Sequence, residues 1–249
     1  MKRKLHYLVL LSAVILNQTS ASAQVDHGVF FDFNVGGVFN YSPTIQKDLK
    51  APQYIGGNIN FNKVAPTFGG GFVVLCTNRL IVGGNGFGYA LTTNGNGVGI
   101  KDKMGAGLID FGYSLSKIKT SKHLSFIFAG VGGYGTKFTV NNTSSENIYI
   151  DESTPTLPNK TSTYSTGGFS FEGGYSLKYY AFKMERKGRK RYGPVVGFDA
   201  GCQYYQAMGK WRDVFTRTIL PDFRRPAIAS PFVRISVGIA DCSSKKSYE

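Results

Sequence analysis

The chain of 249 residues carries 29 Lys and Arg against 15 Asp and Glu, a formal net charge of +14, with 32 Gly, 15 Tyr and 19 Phe beside one Trp and four Met. So much glycine and aromatic content, with little that favours helix, sets aside an all-helical fold and reads as all-β. The positive balance would suit nucleic acid, but the N-terminus points to export, where lipid phosphates are the expected partners and nucleic acid is not.

Met1-Lys2-Arg3-Lys4, the apolar Leu8 to Leu16 and the small residues Ala21-Ser22-Ala23 before Gln24 form a secretory signal peptide over residues 1–23, cut after Ala23. Its apolar run is shorter than the roughly 20 residues of a membrane helix, and every later apolar run is broken by Gly, Asn, Ser or a charge. Residues 24–249 then make one domain.

The first predicted strand, Val29 to Tyr41, puts Val29, Phe31, Phe33, Val35 and Phe39 on one face and Asp32, Asn34, Gly36 and Asn40 on the other. Ser42 to Thr67 reads as a long loop. Phe68 to Cys76 and Leu80 to Thr92 form a second and third strand around the turn Thr77-Asn78-Arg79, with ambiguous facing that a bulge near Gly83 and Gly84 would explain. Asn94 to Lys103 reads as a Gly-Asn loop; its run Gly95-Asn96-Gly97-Val98-Gly99 lacks the helix and the Lys-Ser pair of a phosphate cradle. Met104 to Leu115 alternates Ile109, Phe111, Tyr113 and Leu115 against Asp110, Gly112 and Ser114. After a basic turn, Leu124 to Val140 sets Leu124, Phe126, Phe128, Tyr134 and Phe138 on one side, and Asn141 to Thr163 is a long polar loop.

The sixth strand, within Tyr164 to Tyr180, shows the pattern best: Phe169, Phe171, Tyr175, Leu177 and Tyr179 oppose Ser170, Glu172, Ser176 and Lys178. Its alternation at period two is that of a strand with opposed faces. The basic turn Lys183 to Gly193 leads to Pro194 to Met208, and beyond the loop Gly209 to Pro226 the eighth strand, Ala227 to Ala240, turns Val233, Ile235, Val237 and Ile239 away from Arg234 and Ser236. Asp241 to Glu249 is a short polar tail.

Eight strands, most longer than the about 9–11 residues that cross a bilayer at a tilt, predict a transmembrane up-and-down antiparallel β-barrel, apolar outside and polar inside. Connections after strands one, three, five and seven tend to be long, which assigns them to the outer side and both termini to the periplasm. The chain over Val29 to Ala240 resembles the small eight-stranded outer-membrane barrels of the OmpA-transmembrane and OmpX type, and the porin-like outer-membrane barrel proteins of Bacteroidota. The resemblance implies an outer-membrane location. It departs from that pattern by ending in a polar tail where many such barrels end in an aromatic residue.

The interior of so small a barrel is filled by side chains. Asp32, Asn34, Asp110, Glu172, Lys178, Asp199, Gln203 and Arg234 fall on the inward face, and confined charges must pair. Arg234 is the expected hub, with Glu172, Asp110, Asp199 and Asp32 as partners. On the outer side Lys210, Arg212, Arg217, Arg224 and Arg225 crowd one loop beside Trp211, Phe215 and Phe223, a set suited to lipopolysaccharide phosphates. His27 and His123 fall on the periplasmic side, away from lipid A, so no catalytic residue is expected. Two scattered histidines and three cysteines, Cys76, Cys202 and Cys242, match no metal spacing, and no cofactor is expected. Cys76 and Cys242 lie near strand ends on one side, where a bridge requires the tail to fold back across a strand; Cys202 reads as a wall residue. The functional expectation is a monomer with a binding or structural role, in envelope integrity, adhesion or assistance to an envelope or secretion protein complex, through its outer loops; the alternative is a narrow porin-like channel for ions or small solutes.

Overall fold

The computed structural model describes residues 27–39, 64–76, 79–95, 97–116, 123–151, 154–180, 185–187, 190–220 and 227–243. The predicted signal peptide, most of the loop 42–67, Arg224, Arg225, Phe223 and most of the tail lie outside them. The strands are β1 (His27–Phe39), β2 (Val64–Leu75), β3 (Leu80–Gly95), β4 (Val98–Ser114), β5 (His123–Asn142), β6 (Ile148–Asp151), β7 (Thr154–Thr156), β8 (Lys160–Tyr180), β9 (Glu185–Lys187), β10 (Lys190–Ala207), β11 (Arg212–Asp213) and β12 (Ala227–Ser243). Eight of them, β1, β2, β3, β4, β5, β8, β10 and β12, pair antiparallel with their neighbours, and β12 closes on β1.

Register partners trace the closure. From Gly28 the pairing runs to Leu75, Ile81, Gly112, Phe128, Gly174, Gly201 and Phe232, and returns to β1 at Val38, ten residues (28 to 38) beyond its start. A stagger of this kind requires strands tilted by about 35–45°. Closure leaves no sheet edge in the wall.

Alternation along each strand sends large apolar side chains outward, Phe33 being 81% exposed, with Phe31, Phe68, Phe111, Ile235 and Ile239 in the same belt. The buried positions include Asn34, Glu172, Lys178, Asp199, Gln203 and Arg234. This is the inside-out distribution of a barrel whose outer solvent is hydrocarbon.

Three expectations are corrected. The register from Thr67–Tyr89 to Leu75–Ile81 is unbroken, so no bulge interrupts Gly83 and Gly84; facing was obscured because glycines occupy both sides of β2 and β3. Asn94 to Lys103 is not a loop: β3 and β4 pair up to Gly95–Val98, and Gly97, at φ 74°, makes the hairpin turn. The stretch that resembled a phosphate cradle is therefore a β-hairpin, and the connection after the third strand is short. The aromatic side of β5 faces the interior, where Leu124, Phe126, Tyr134 and Phe138 are buried.

The long loops also hold more structure than their composition suggests. β5 continues to Asn142 and β8 begins at Lys160, so the two pair well past the predicted strand ends. Between them β6 and β7 form a small hairpin. Asn142 secures its base: its Nδ2 donates to the carbonyls of Glu146 (2.7 Å) and Thr156 (2.9 Å), while its Oδ1 accepts from the Ser144 amide (2.9 Å) and hydroxyl (2.7 Å). β11 adds to β8 through Arg212–Ser165 and Asp213–Tyr164. These pieces bury Val98, Ile100, Phe138, Val140, Ile148, Tyr164, Trp211 and Leu220 as an apolar cap over the loop end. Trp211, which the sequence set beside the loop cations, is buried and lies edge-on to Phe138 with centroids 6.3 Å apart. At the other end Phe30, Leu75, Ile81, Leu124, Phe126, Val195 and Ala240 form a second apolar cluster.

Cys76 and Cys202 are free thiols, and Cys202 is exposed on the wall as expected. Leu75 and Cys242 both register on Gly28, so β1 stands between the ends of β2 and β12, and Cys76 is not bridged.

Because the chain has a single tryptophan, buried at 3% exposure in the cap, its fluorescence reports that cap alone. Folded protein should emit at short wavelength and resist acrylamide quenching. Asn142→Ala should red-shift the emission and speed proteolysis of residues 143–159 while heat-modifiable gel migration of the barrel persists.

Candidate functional site

The polar interior forms between two apolar layers. Toward the turn end lies the cluster around Phe126; toward the loop end Phe87, Met104, Leu108, Tyr134 and Tyr205 pack together, with the Tyr134 and Tyr205 rings 5.2 Å apart. Between these layers the inward positions of β1, β3, β4, β8, β10 and β12 carry the polar groups, while β2 and β5 present Gly69, Gly71, Gly130 and Gly132.

Every inward residue expected from the sequence is inside, but the charges divide into two groups. Arg234 on β12 donates from Nη2 to Glu172 Oε2 on β8 at 2.9 Å. Glu172 also accepts from Gln203 Nε2 at 2.9 Å and, through Oε1, from Asn85 Nδ2 at 2.6 Å. Asn85 donates as well to Asp110 Oδ2 at 2.7 Å, and the Tyr205 hydroxyl donates to Gln203 Oε1. The Arg234 guanidinium lies between the rings of Phe87 and Phe232, at 4.4 and 4.1 Å from their centroids. The cation thus has the negative π-surface of two rings and a carboxylate within reach.

Lys178 on β8 is the second centre. Its ammonium meets Asp32 Oδ2 at 2.6 Å and Asp199 Oδ2 at 3.5 Å, and donates to Ser236 Oγ at 2.8 Å. Ser176 Oγ donates to Asp199 Oδ1 at 2.5 Å. The single-hub expectation is therefore corrected. Asp32 and Asp199 belong to Lys178, and Asp110 reaches the arginine only through Asn85 and Glu172. A guanidinium held between two rings has one edge free for a carboxylate, whereas an ammonium with three rotatable donors gathers several acceptors.

Some of the supporting residues gave no sequence signal. Asn85 and Phe87 sit in the glycine-rich strand whose facing was ambiguous, and Phe232, which shares the inward face of Arg234 by alternation, gave no sign that it covers the guanidinium. Three inward glycines make the room: a Cβ on Gly36 would come within 2.9 Å of Arg234 Cγ, one on Gly197 within 2.6 Å of Lys178 Cδ, and one on Gly130 within 3.0 Å of Glu172 Cγ. The alternation of small residues marked these sites without saying that charges were their neighbours.

Asp32, Asn34, Asn85, Asp110, Glu172, Lys178, Asp199 and Arg234 border a cavity of about 40 Å³. Oδ1 of Asn34, Asn85 and Asp110 have no hydrogen-bond partner there. The space suits a water molecule, which needs polar partners of this kind. His123 begins β5 and is exposed. Among the described residues no group of three or more His, Cys, Asp or Glu is arranged to hold a metal.

At the loop end the stretch Trp211 to Leu220 is a tight turn. Arg212 bridges to Ile219, the Asp213 amide donates to the Thr218 carbonyl (2.9 Å), and Asp213 Oδ1 accepts from the Phe215 and Thr216 amides at 2.8 and 2.7 Å. Lys210, Arg212, Arg217 and Phe215 are exposed on it.

No family model matches the chain, and no curated protein matches it either. Among solved structures the chain is similar to the attachment invasion locus protein Ail of Yersinia pestis, with a TM-score of 0.44 and 9% identity over 88% of this chain and 99% of that one. The outer membrane protein OprG from Pseudomonas aeruginosa gives a TM-score of 0.34 and 9% identity over 88% and 96%. The outer membrane protease OmpT from Escherichia coli gives 0.27 and 10% over 89% and 97%. The closed fold is established by the strand register and not by these likenesses.

Removing one member of a buried ion pair strands the other charge, at a cost of about 3–5 kcal/mol. Glu172→Ala should therefore lower the urea midpoint of the refolded barrel far more than the double variant Glu172→Leu/Arg234→Met, which removes both charges. Equal losses in the two would show that the pair does not act as a unit.

Proposed function

We propose that this chain is an integral outer-membrane barrel with a closed lumen and a binding or structural role carried by its outward wall and loop end. The observation that carries this reading is the filling of the lumen: apolar clusters lie on both sides of the charged layer, and a further apolar cap covers the loop end. An ion would have to pass dewetted constrictions as well as two paired charge centres. The belt of exposed Phe, Ile and Val supports residence in a bilayer, and the N-terminal leader supports export to the outer membrane. Closure satisfies the wall without a second copy, which supports a monomer. Envelope lipids, lipopolysaccharide among them, or an envelope protein complex would be met at the loop end.

A second reading, a narrow path for ions or small solutes, is favoured by the cavity of about 40 Å³ that Asp32, Lys178, Glu172 and Arg234 border.

In planar bilayers the refolded protein should give no stable openings, and Arg234→Ser should remain silent because the apolar layers are untouched. Stable steps in the native protein would replace the closed reading with the channel. Separately, the protein should stay in the membrane pellet after carbonate washing and show heat-modifiable migration; release by carbonate would sink the membrane assignment itself.

A further inference from the structure

The wall between β2 and β8 combines a cationic row with a depression. Reading the register across the strands on the outward face gives the row Ala90, Lys103, Lys137, Ser165 and Arg212. Lys103 and Lys137 are direct cross-strand partners, and like charges so placed repel unless an anion joins them. Both lysines and Arg212 are exposed, and among the described residues none has an acidic partner. From β4 to β11 the three cations span about 14 Å, three strand spacings, which is more than one phosphate covers.

The next outward row toward the other end of the barrel is glycine: Gly88, Gly105, Gly135 and Gly167. Gly86, Gly107 and Gly133 follow in the row after that. Over Gly88, Gly105 and Gly135, which carry no side chains, the wall recedes into a cavity of about 690 Å³, bordered by Pro66 and Phe68 on one side, by Ser165 on the other, and by Lys103 and Lys137 at its head. That volume lies within the about 300–1,000 Å³ of small-molecule sites. At three of them the fold does not demand glycine: a Cβ on Gly105, Gly107 or Gly135 would meet nothing within 4 Å, whereas one on Gly88 or Gly167 would come within 2.8 Å of the Met104 or Tyr134 carbonyl oxygen. The inward glycines Gly36 and Gly197, by contrast, have neighbours a Cβ would strike.

We infer that this face binds a lipid carrying more than one phosphate, with the phosphates on Lys103, Lys137 and Arg212 and an acyl chain lying over the glycine floor. Two features fix that chemistry. Three cations in one row, with no acidic partner among the described residues, match several negative charges, and the adjoining floor is glycine backbone whose polar groups are already paired in the sheet, so that it offers little to a headgroup but accepts a chain by shape. Phe68 and Phe169 stand at opposite edges of the glycine rows as side walls. The inference rests on the membrane assignment proposed above.

The test uses the full-length refolded barrel in detergent, titrated with bisphosphorylated hexa-acyl lipid A and read by native mass spectrometry. Phosphatidylcholine and inorganic phosphate are the comparison ligands. One lipid A should be retained, with neither comparison ligand replacing it. Lys103→Gln/Lys137→Gln should weaken retention by about tenfold or more through loss of the charge-assisted contacts. Gly105→Leu/Gly135→Leu, which fills the floor and leaves every charge in place, should weaken it to a similar degree. Heat-modifiable migration confirms folding of both variants. Native-like retention in either variant, or equal retention of phosphatidylcholine, overturns the proposal. A barrel that resists carbonate washing yet fails to hold lipid A loses only this inference, whereas one released by carbonate loses the membrane assignment.

Discussion

Hydrocarbon offers no partner to a peptide group, so a sheet that crosses it must satisfy every backbone donor and acceptor within the wall. The circuit that leaves β1 at Gly28 and returns at Val38 is how this chain meets that requirement. Once the sheet is closed, much else is fixed. Alternate side chains must face in or out, the interior of eight strands is only as wide as side chains can fill, and whatever polar groups face inward must find partners there. Asp32, Asp110, Glu172, Lys178, Asp199 and Arg234 share one layer because closure gathers strands that are far apart in sequence.

The pairs in that layer join particular strands. Arg234 links β12 to β8, and Lys178 links β8 to both β1 and β10. The first and last strands, whose meeting closes the barrel, are thereby both tied across the interior to β8. Alternation alone does not choose their register, since sliding β12 by two residues keeps every side chain on its face. Such a slide would carry Arg234 away from Glu172 and from the two rings that cover it. A purely apolar filling of equal volume can be as stable as a buried ion pair, so the contribution argued for the charges is selection of one closure among several.

The sequence displayed the strand count, the facing of β1, β4, β8, β10 and β12 and the inward set of polar residues, because all of these follow from period-two alternation. It concealed what depends on neighbours. Phe87 and Phe232 could be placed against Arg234 only once register was known, and the division of acids between Arg234 and Lys178 depends on which strands face each other across the lumen. Trp211 and the polar stretch from Asn141 to Thr163 read as loop because their composition is that of loops. Their order comes from Asn142 gripping the base of the hairpin and from β11 lying along β8, neither of which leaves a periodic trace. Glycine was the most misleading letter: in β2 and β3 it erased the contrast between faces and suggested a bulge where the ladder is continuous.

That same residue separates the two faces of the wall once space is considered. Inside, Gly36, Gly130 and Gly197 are dictated by the side chains beside them, so their absence of a Cβ is explained by packing. Outside, Gly105, Gly107 and Gly135 have open space before them, and a glycine in a strand costs about 0.5–1 kcal/mol relative to alanine. A β-branched residue there would stabilise the strand and widen the apolar belt. Packing within the barrel thus accounts for these inner glycines, and for the outward Gly88 and Gly167, whose Cβ would meet backbone carbonyls at 2.8 Å, and leaves Gly105, Gly107 and Gly135 to be explained by something that lies against the wall. The lumen is filled by its own side chains, while the outward face between β2 and β8 is shaped with room to spare and headed by Lys103, Lys137 and Arg212, which have no acidic partner among the described residues. On the proposed function, binding falls on the exterior wall below the loop end.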